Sequence, residues 1–230
     1  MEHNVNKAYI LTSQELTLIA AGKGIIEFFS LAETIHPMDE MTVCKVMSNL
    51  YQKGVLKNSG DDSFCLEEDL NEMMEVIANA ERMVLIRDFI TKDASQILYI
   101  GKNPVIMEKS QVDKDGIRLY EIDQNELRCL VEAGIHQNIG EWKQVLDEEG
   151  LLREILRSPT VLQEEKADYL GNAIMMFEGL RKGSERVAWR ILLIQGKVQK
   201  ELLCYDRENH SMVKYEGLTV DAVMNRIWED

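Results

Sequence analysis

A shift of 95 residues lays one stretch of this chain on another without a gap, and that self-similarity limits the folds open to it. Gly101 falls on Gly196, Leu98 on Leu193, and the pair Tyr120-Glu121 on Tyr215-Glu216. The helix opening at Glu126 falls on Asp221. Each copy, about 96–132 and 191–228, reads as strand, glycine turn, strand, polar turn, strand ending in Tyr-Glu, then a short helix. Identities are few, and two three-stranded meanders with similar turns would align about as well. As a true repeat the pattern predicts a pseudo-twofold arrangement of two β-β-β-α units. Three strands with one apolar face do not stand alone, so the copies are expected to share helices or to join one larger sheet. Such a scaffold offers a broad surface rather than a cleft with convergent polar groups.

The chain before the first copy has a different character. Lys7 to Leu11 reads as a short strand, and Thr12 as a helix cap, because Glu15 three positions on completes a capping box. Leu11 and Leu16 stand at the positions of a hydrophobic staple. Leu16, Ile19 and Ala20 share a helical face that Gly22 or Gly24 ends. A second helix runs from about Asp39 to Lys53 with Val43, Val46, Met47 and Leu50 at helical spacing, and Gly54 stops it. Val55–Lys57 and Phe64–Leu66, around Ser59-Gly60-Asp61-Asp62, read as a hairpin, and Leu70, Met73, Met74 and Ile77 mark a third helix. Together these make a winged-helix-like module. The expected organisation is therefore α+β: an N-terminal module over residues 1–90, then residues 91–230 with the two repeated units around central helices, continuous with the module. In the second part, helices are expected from Gln124 to Glu132 before Gly134, from Glu141 to about Arg157, and from Glu164 to Leu180. Gly150 reads as a weak point of the middle one.

The stretch Thr42–Leu56 resembles the recognition helix and first wing strand of winged-helix regulators. In that reading Lys45, Asn49 and Lys53 point toward a major groove. Against it stand only two lysines on the helix and Asp61-Asp62 at the wing tip, where a phosphate contact belongs. The whole chain carries 40 acidic residues against 26 basic ones, a net of -14, which repels phosphate backbones. Charge weighs against nucleic acid and favours a basic or amphipathic protein partner.

A search for chemistry yields no catalytic residue, no metal ligand set and no cofactor site. His3, His36, His136 and His210 are scattered, with no HExxH or CxxC pattern. Gly22-Lys23-Gly24 lacks the P-loop spacing and reads as a helix terminator. Gly183-Ser184 lacks the context of a nucleophile elbow. Glu67-Glu68-Asp69 reads as a helix start, favoured by the dipole, and Asp147-Glu148-Glu149 as a solvated helix face. The four dispersed cysteines, Cys44, Cys65, Cys129 and Cys204, are expected to act as small buried hydrophobes. No run of eighteen apolar residues suggests a membrane span, and Met1–Lys7 lacks the pattern of a secretory signal. A cytoplasmic protein is expected.

The opening Leu11–Gly24, LTSQELTLIAAGKG, the repeated three-stranded units and the closing Tyr215–Ile227, YEGLTVDAVMNRI, resemble the EspG-type accessory proteins of type VII secretion and their EspG-like relatives in Firmicutes. The likeness covers most of the chain and is one of layout. It implies a quasi-twofold α/β fold with a central sheet and a non-catalytic cytoplasmic chaperone or adaptor for a small helical secreted protein, as the mycobacterial members serve PE–PPE heterodimers. The unusually complete winged-helix-like module departs from that pattern. No catalytic residue is implied. Trp142 on the middle helices is a candidate for partner contact, although a tryptophan beside Glu141 is more often a core residue. The rival readings are a winged-helix transcription regulator and a small-molecule-binding or enzymatic α+β domain.

Overall fold

The computed structural model describes residues 7–25, 28, 37–60, 63–91, 95–109, 116–137, 148–160, 171–184, 186–215 and 220–229. The fold is mixed α+β, with several helices and a large antiparallel sheet. It divides into two compact units: Met1–Ala80 with Tyr99–Ile122, and Glu81–Leu98 with Asp123–Asp230.

The first unit opens with strand β1 (Ala8–Thr12) and helix α1 (Ser13–Gly22). Helix α2 (Glu40–Gln52), hairpin strands β2 (Leu56–Gly60) and β3 (Ser63–Leu66), and helix α3 (Glu68–Asn79) follow. Strands β6 (Val105–Lys109) and β7 (Gly116–Glu121) complete it, beside the end of β5 (Gln96–Ile100), in the order β1-β7-β6-β5. β1 runs antiparallel to β7, Ala8 opposite Tyr120 and Thr12 opposite Gly116. Its alternation buries Tyr9 and Leu11 and leaves Ala8 and Ile10 outward, the period of a half-covered strand.

Local chemistry sets the start of α1 and the stops of α1 and α2 as the sequence predicts. Thr12 Oγ1 accepts from Glu15 N at 3.2 Å and Thr12 N donates to Glu15 Oε2 at 2.8 Å, a complete capping box. Asp39 caps α2 by accepting from Thr42 N, which holds its carboxyl below the usual range. α1 and α2 stop alike. Ile25 N bonds Ala20 O and Val55 N bonds Leu50 O, both at 2.9 Å, around Gly24 (φ 69°) and Gly54 (φ 71°). These are two Schellman motifs, each with its glycine in the left-handed region that side chains avoid.

The second unit orders its strands β4 (Arg82–Asp88), β8 (Ala173–Arg181), β9 (Val187–Gln195), β10 (Lys200–Asp206) and β11 (Ser211–Tyr215) as neighbours in that sequence. Each neighbouring pair among them is antiparallel. Helix α5 (Glu148–Arg157) packs Ile155 and Leu156 on Met176, Leu192, Ile194 and Leu203. α4 (Gln124–His136) meets β8 on the opposite parity, where Gly134 lies against Met175. On that same parity Arg226 of α6 (Val220–Glu229) lies 5.7 Å from the Trp189 ring. Both faces of β8 and β9 are thus covered.

That double cover corrects one expectation. Ala173–Leu180 is not the end of a helix begun at Glu164 but strand β8, buried at every one of those positions. A strand covered on both faces loses its polar alternation and reads as a continuous apolar run, which periodicity alone does not separate from a helix. β4, buried from Met83 to Arg87, lacks a polar alternation for the same reason. Gly134 does not end α4. The helix continues to His136, and the glycine makes room for the Met175 sulfur. Gly150 lies inside α5. Gly171 and Asn172 form a turn, and residues 164–170 of that expected helix and 141–147 of the Glu141 helix fall outside the described residues. In chain order, β5-β6-β7-α4 and β9-β10-β11-α6 both run strand, strand, strand, helix.

The cysteines are corrected too. Cys44, Cys65 and Cys129 are exposed and Cys204 is half-buried. Cys44 stands two residues from buried Val46, and Cys129 two from both Leu127 and Val131. A two-residue step turns a helical side chain about 200° away from the buried stripe.

Candidate functional site

The first unit carries an open groove of about 630 Å³ whose lining is mostly apolar. Its floor is Ile19 of α1 and Leu50 of α2, both core residues. Half-buried Leu18, Met47, Leu56 and Leu66 form the walls. At the rim, Phe64 of β3 is 50% exposed and meets Tyr51 of α2 edge-on, with ring centroids 6.4 Å apart. Met41, near the start of α2, is 79% exposed.

The groove follows from how little of α2 is buried. Only Val46 and Leu50 go fully inside, so Val43 and Met47 stay half-covered. The hairpin adds no second layer: among the described residues β2 and β3 pair only with each other. A helix–helix seam roofed at one end by a two-stranded hairpin leaves an apolar trough where a third layer would sit.

Among the described residues few polar groups line it. Lys23 Nζ lies 3.2 Å from Glu75 Oε1, and Asn71 Nδ2 donates to the same oxygen at 3.0 Å. Lys23 first, then Asn71, holds the Glu75 carboxyl below its usual range. Glu68 completes the lining, exposed in the first turn of α3.

Glu67, beside it, is fully engaged. It accepts from Lys7 Nζ at 2.6 Å and from the Tyr9 hydroxyl, with Lys57 Nζ at 4.0 Å. Lys7 and then Tyr9 pull the Glu67 carboxyl down to about 2, and burial followed by Glu67 pushes the Tyr9 phenol up to about 12. This cluster ties β1 to α3.

Of the residues singled out in the sequence, Lys45 and Asn49 lie exposed on α2, one turn apart. Lys53 donates to Glu15 Oε2 at 2.7 Å, closing the end of α2 onto the capping box of α1. Glu15 itself is only 1% exposed. Lys53 thus has an internal partner, while Lys45 and Asn49 face solvent. Trp142 lies outside the described residues, as do His3, His36 and the pair Asp61-Asp62. His210 occupies a turn at φ 47°, and Ser184 Oγ accepts from Arg186 N in another. Among the described residues no group of three His, Cys, Asp or Glu is placed to hold a metal ion. No helix among them is long and apolar enough to cross a membrane.

Sequence reasoning did not single out the groove. Leu18 and Met47 read as ordinary members of amphipathic helices, and only Phe64, a large apolar residue beside a turn in a four-residue strand, carried a usable signal. A second cleft in this unit is lined by Glu72, Glu75, Lys102, Asn103 and Glu121 together with apolar Val76, Ala80 and Ile100. There burial, then Glu72 and Asp69, raises the Glu121 carboxyl above its ordinary value.

No protein-family model matches this chain, and no curated protein matches it.

Proposed function

We propose that this chain is a non-catalytic, cytoplasmic protein-binding accessory, a substrate chaperone or adaptor of the type VII secretion kind, and that the groove of the first unit is its partner-binding face. The observation that carries this reading is the groove itself: half-buried aliphatic walls and an exposed aromatic rim on a frame of well-capped helices. Apolar troughs of this kind receive the apolar face of a partner helix. Exposed contiguous apolar surface marks interaction sites more often than chance.

The layout supports the EspG-like likeness. The two strand-strand-strand-helix runs have β6 and β10 starting at Val105 and Lys200, and β7 and β11 starting at Gly116 and Ser211, each pair at the 95-residue shift. In the proposed quasi-twofold arrangement these runs are equivalent halves.

The test is affinity capture from the native cell, read by mass spectrometry, with the wild-type chain and a Phe64→Asp variant side by side. The expected result is recovery of small helical secreted proteins by the wild type and their loss with the variant. Equal recovery by both, or a salt-sensitive shift of duplex DNA that depends on Lys45 and Asn49, overturns the proposal.

A further inference from the structure

Charge around the groove narrows the kind of helix it receives. Lys23, the basic residue among the described residues of the lining, is matched by Glu75. In the first turn of α3, Glu67 is held by Lys7, Tyr9 and Lys57, and Asp69 lies 3.5 Å from Lys7. Glu68 remains: it lines the groove, is exposed, and has no opposite charge within ion-pair distance among the described residues. The net charge of -14 adds a long-range attraction for cations.

Resting on the groove reading above, we infer that the occupant is an amphipathic helix with Lys or Arg flanking its apolar face, set so that the cation meets Glu68. A helix satisfies its own backbone hydrogen bonds. An extended segment would bring unpaired N–H and C=O groups into a lining whose charged and amide side chains, among the described residues, are Lys23, Glu68 and Asn71, two of them already engaged with Glu75. Apolar anchors at i, i+3, i+4 and i+7 match a trough of about 630 Å³ walled by Leu18, Met47, Leu56 and Leu66. A basic residue at the edge of that stripe adds attraction on approach, and an acidic one in its place adds repulsion.

Two labelled model peptides test this with the full chain. Both are amphipathic Leu/Ala helices of the same length, one carrying Lys and the other Glu beside the apolar stripe. Binding is followed by fluorescence anisotropy at low and at physiological salt. The Lys peptide is expected to bind about tenfold more tightly at low salt, with the gap shrinking as salt is added. Glu68→Lys should reverse the preference, and Phe64→Asp should weaken both peptides, with thermal melts confirming that each variant folds. Equal binding of the two peptides, both lost with Phe64→Asp, overturns the charge inference and leaves the groove reading standing. Binding that survives Phe64→Asp, or no binding of either peptide to the wild type, overturns the groove reading and the inference with it.

Discussion

Arg190 is fully buried in the middle of a sheet, and its surroundings explain how a full charge is tolerated there. Its Nε donates to Glu178 Oε1 at 2.9 Å, and its Nη2 donates to the same oxygen. Nη1 donates to Ile155 O, and Nη2 also reaches Thr160 O at 2.9 Å. The guanidinium therefore pairs a buried carboxylate and at the same time satisfies carbonyls at the end of α5, where a helix leaves its last acceptors open. Lys200 repeats the device for α4, donating to Ile135 O and, at 2.6 Å, to Gln137 O, and burial lowers its pKa. Removing Arg190 leaves buried Glu178 with the longer contact to Arg87 Nη2 at 3.9 Å, so Arg190→Met should lower stability by about 3–5 kcal/mol in urea denaturation. Arg190→Met with Glu178→Leu should recover part of that loss. A single substitution costing under about 1 kcal/mol would show that the pair is not desolvated in solution.

Glu67 gives a pH signature of the same scale. Its carboxyl is depressed in the fold to about 2 from an ordinary 4.5, so its ionisation favours folding. That contribution is complete above about pH 4.5 and is lost as pH falls toward about 2. Tyr9 works in the opposite direction. Its phenol is raised to about 12 from 10.0, so its contribution is complete below about pH 10 and lost as pH rises toward 12. Thermal melts across pH should show both shoulders in the wild type, and Glu67→Gln should flatten the acid one. An unchanged acid limb in the variant would place the acid sensitivity elsewhere.

Among the elements, two glycines of the second unit look alike in sequence and differ in consequence. A Cβ on Gly179 would stand 2.1 Å from the Trp189 ring, a rigid neighbour locked between strands. On Gly134 it would meet the Met175 sulfur at 2.4 Å, a flexible side chain that can swing away, and it would also remove a helix glycine worth about 1 kcal/mol. Gly179→Ala should therefore lower stability by about 2–3 kcal/mol, and Gly134→Ala by less than about 1 kcal/mol. Midpoints of chemical denaturation compare them directly, and equal costs would refute this account of the two contacts.

The same pair of glycines shows what was legible from residues alone. Thr12 with Glu15, Gly24 and Gly54 act over a few residues, so their caps and stops could be read directly from spacing. Gly134 and Gly179 depend on Met175 and Trp189, brought close by the fold, and spacing says nothing of that. β8 hides for a related reason, since cover on both faces erases its period. The groove is further still from sequence: Leu18, Met47 and Phe64 lie on three elements, and their shared exposure depends on what does not cover them. Lys53 shows the converse, a residue read as facing a ligand that closes instead on Glu15, 38 positions away.

At the scale of the whole molecule, chain order and compactness do not coincide. The first unit takes Tyr99–Ile122 from beyond the second unit's opening segment, Glu81–Leu98. A boundary at residue 90, where composition changes, would part β1 from its partner β7 and keep β4 from its partner β8. In a fragment of residues 1–90, Tyr9 and Leu11 would remain on a strand with no neighbour, and an unpaired strand exposes a full edge of backbone donors and acceptors. In the complementary fragment, β8 would lose the seven pairs from Arg82–Arg181 to Asp88–Met175 and open an apolar edge to water. The expected outcome is that amides of β1 exchange hydrogen rapidly in the 1–90 fragment while α1 and α2 keep partial protection, and that the 91–230 fragment aggregates. In the intact chain both β1 and β8 should be protected, β8 the more strongly, because its amides lie at the centre of a covered sheet. If the 1–90 fragment instead unfolds cooperatively with protected β1 amides, the N-terminal module folds without β7, and the composition change marks a true domain boundary.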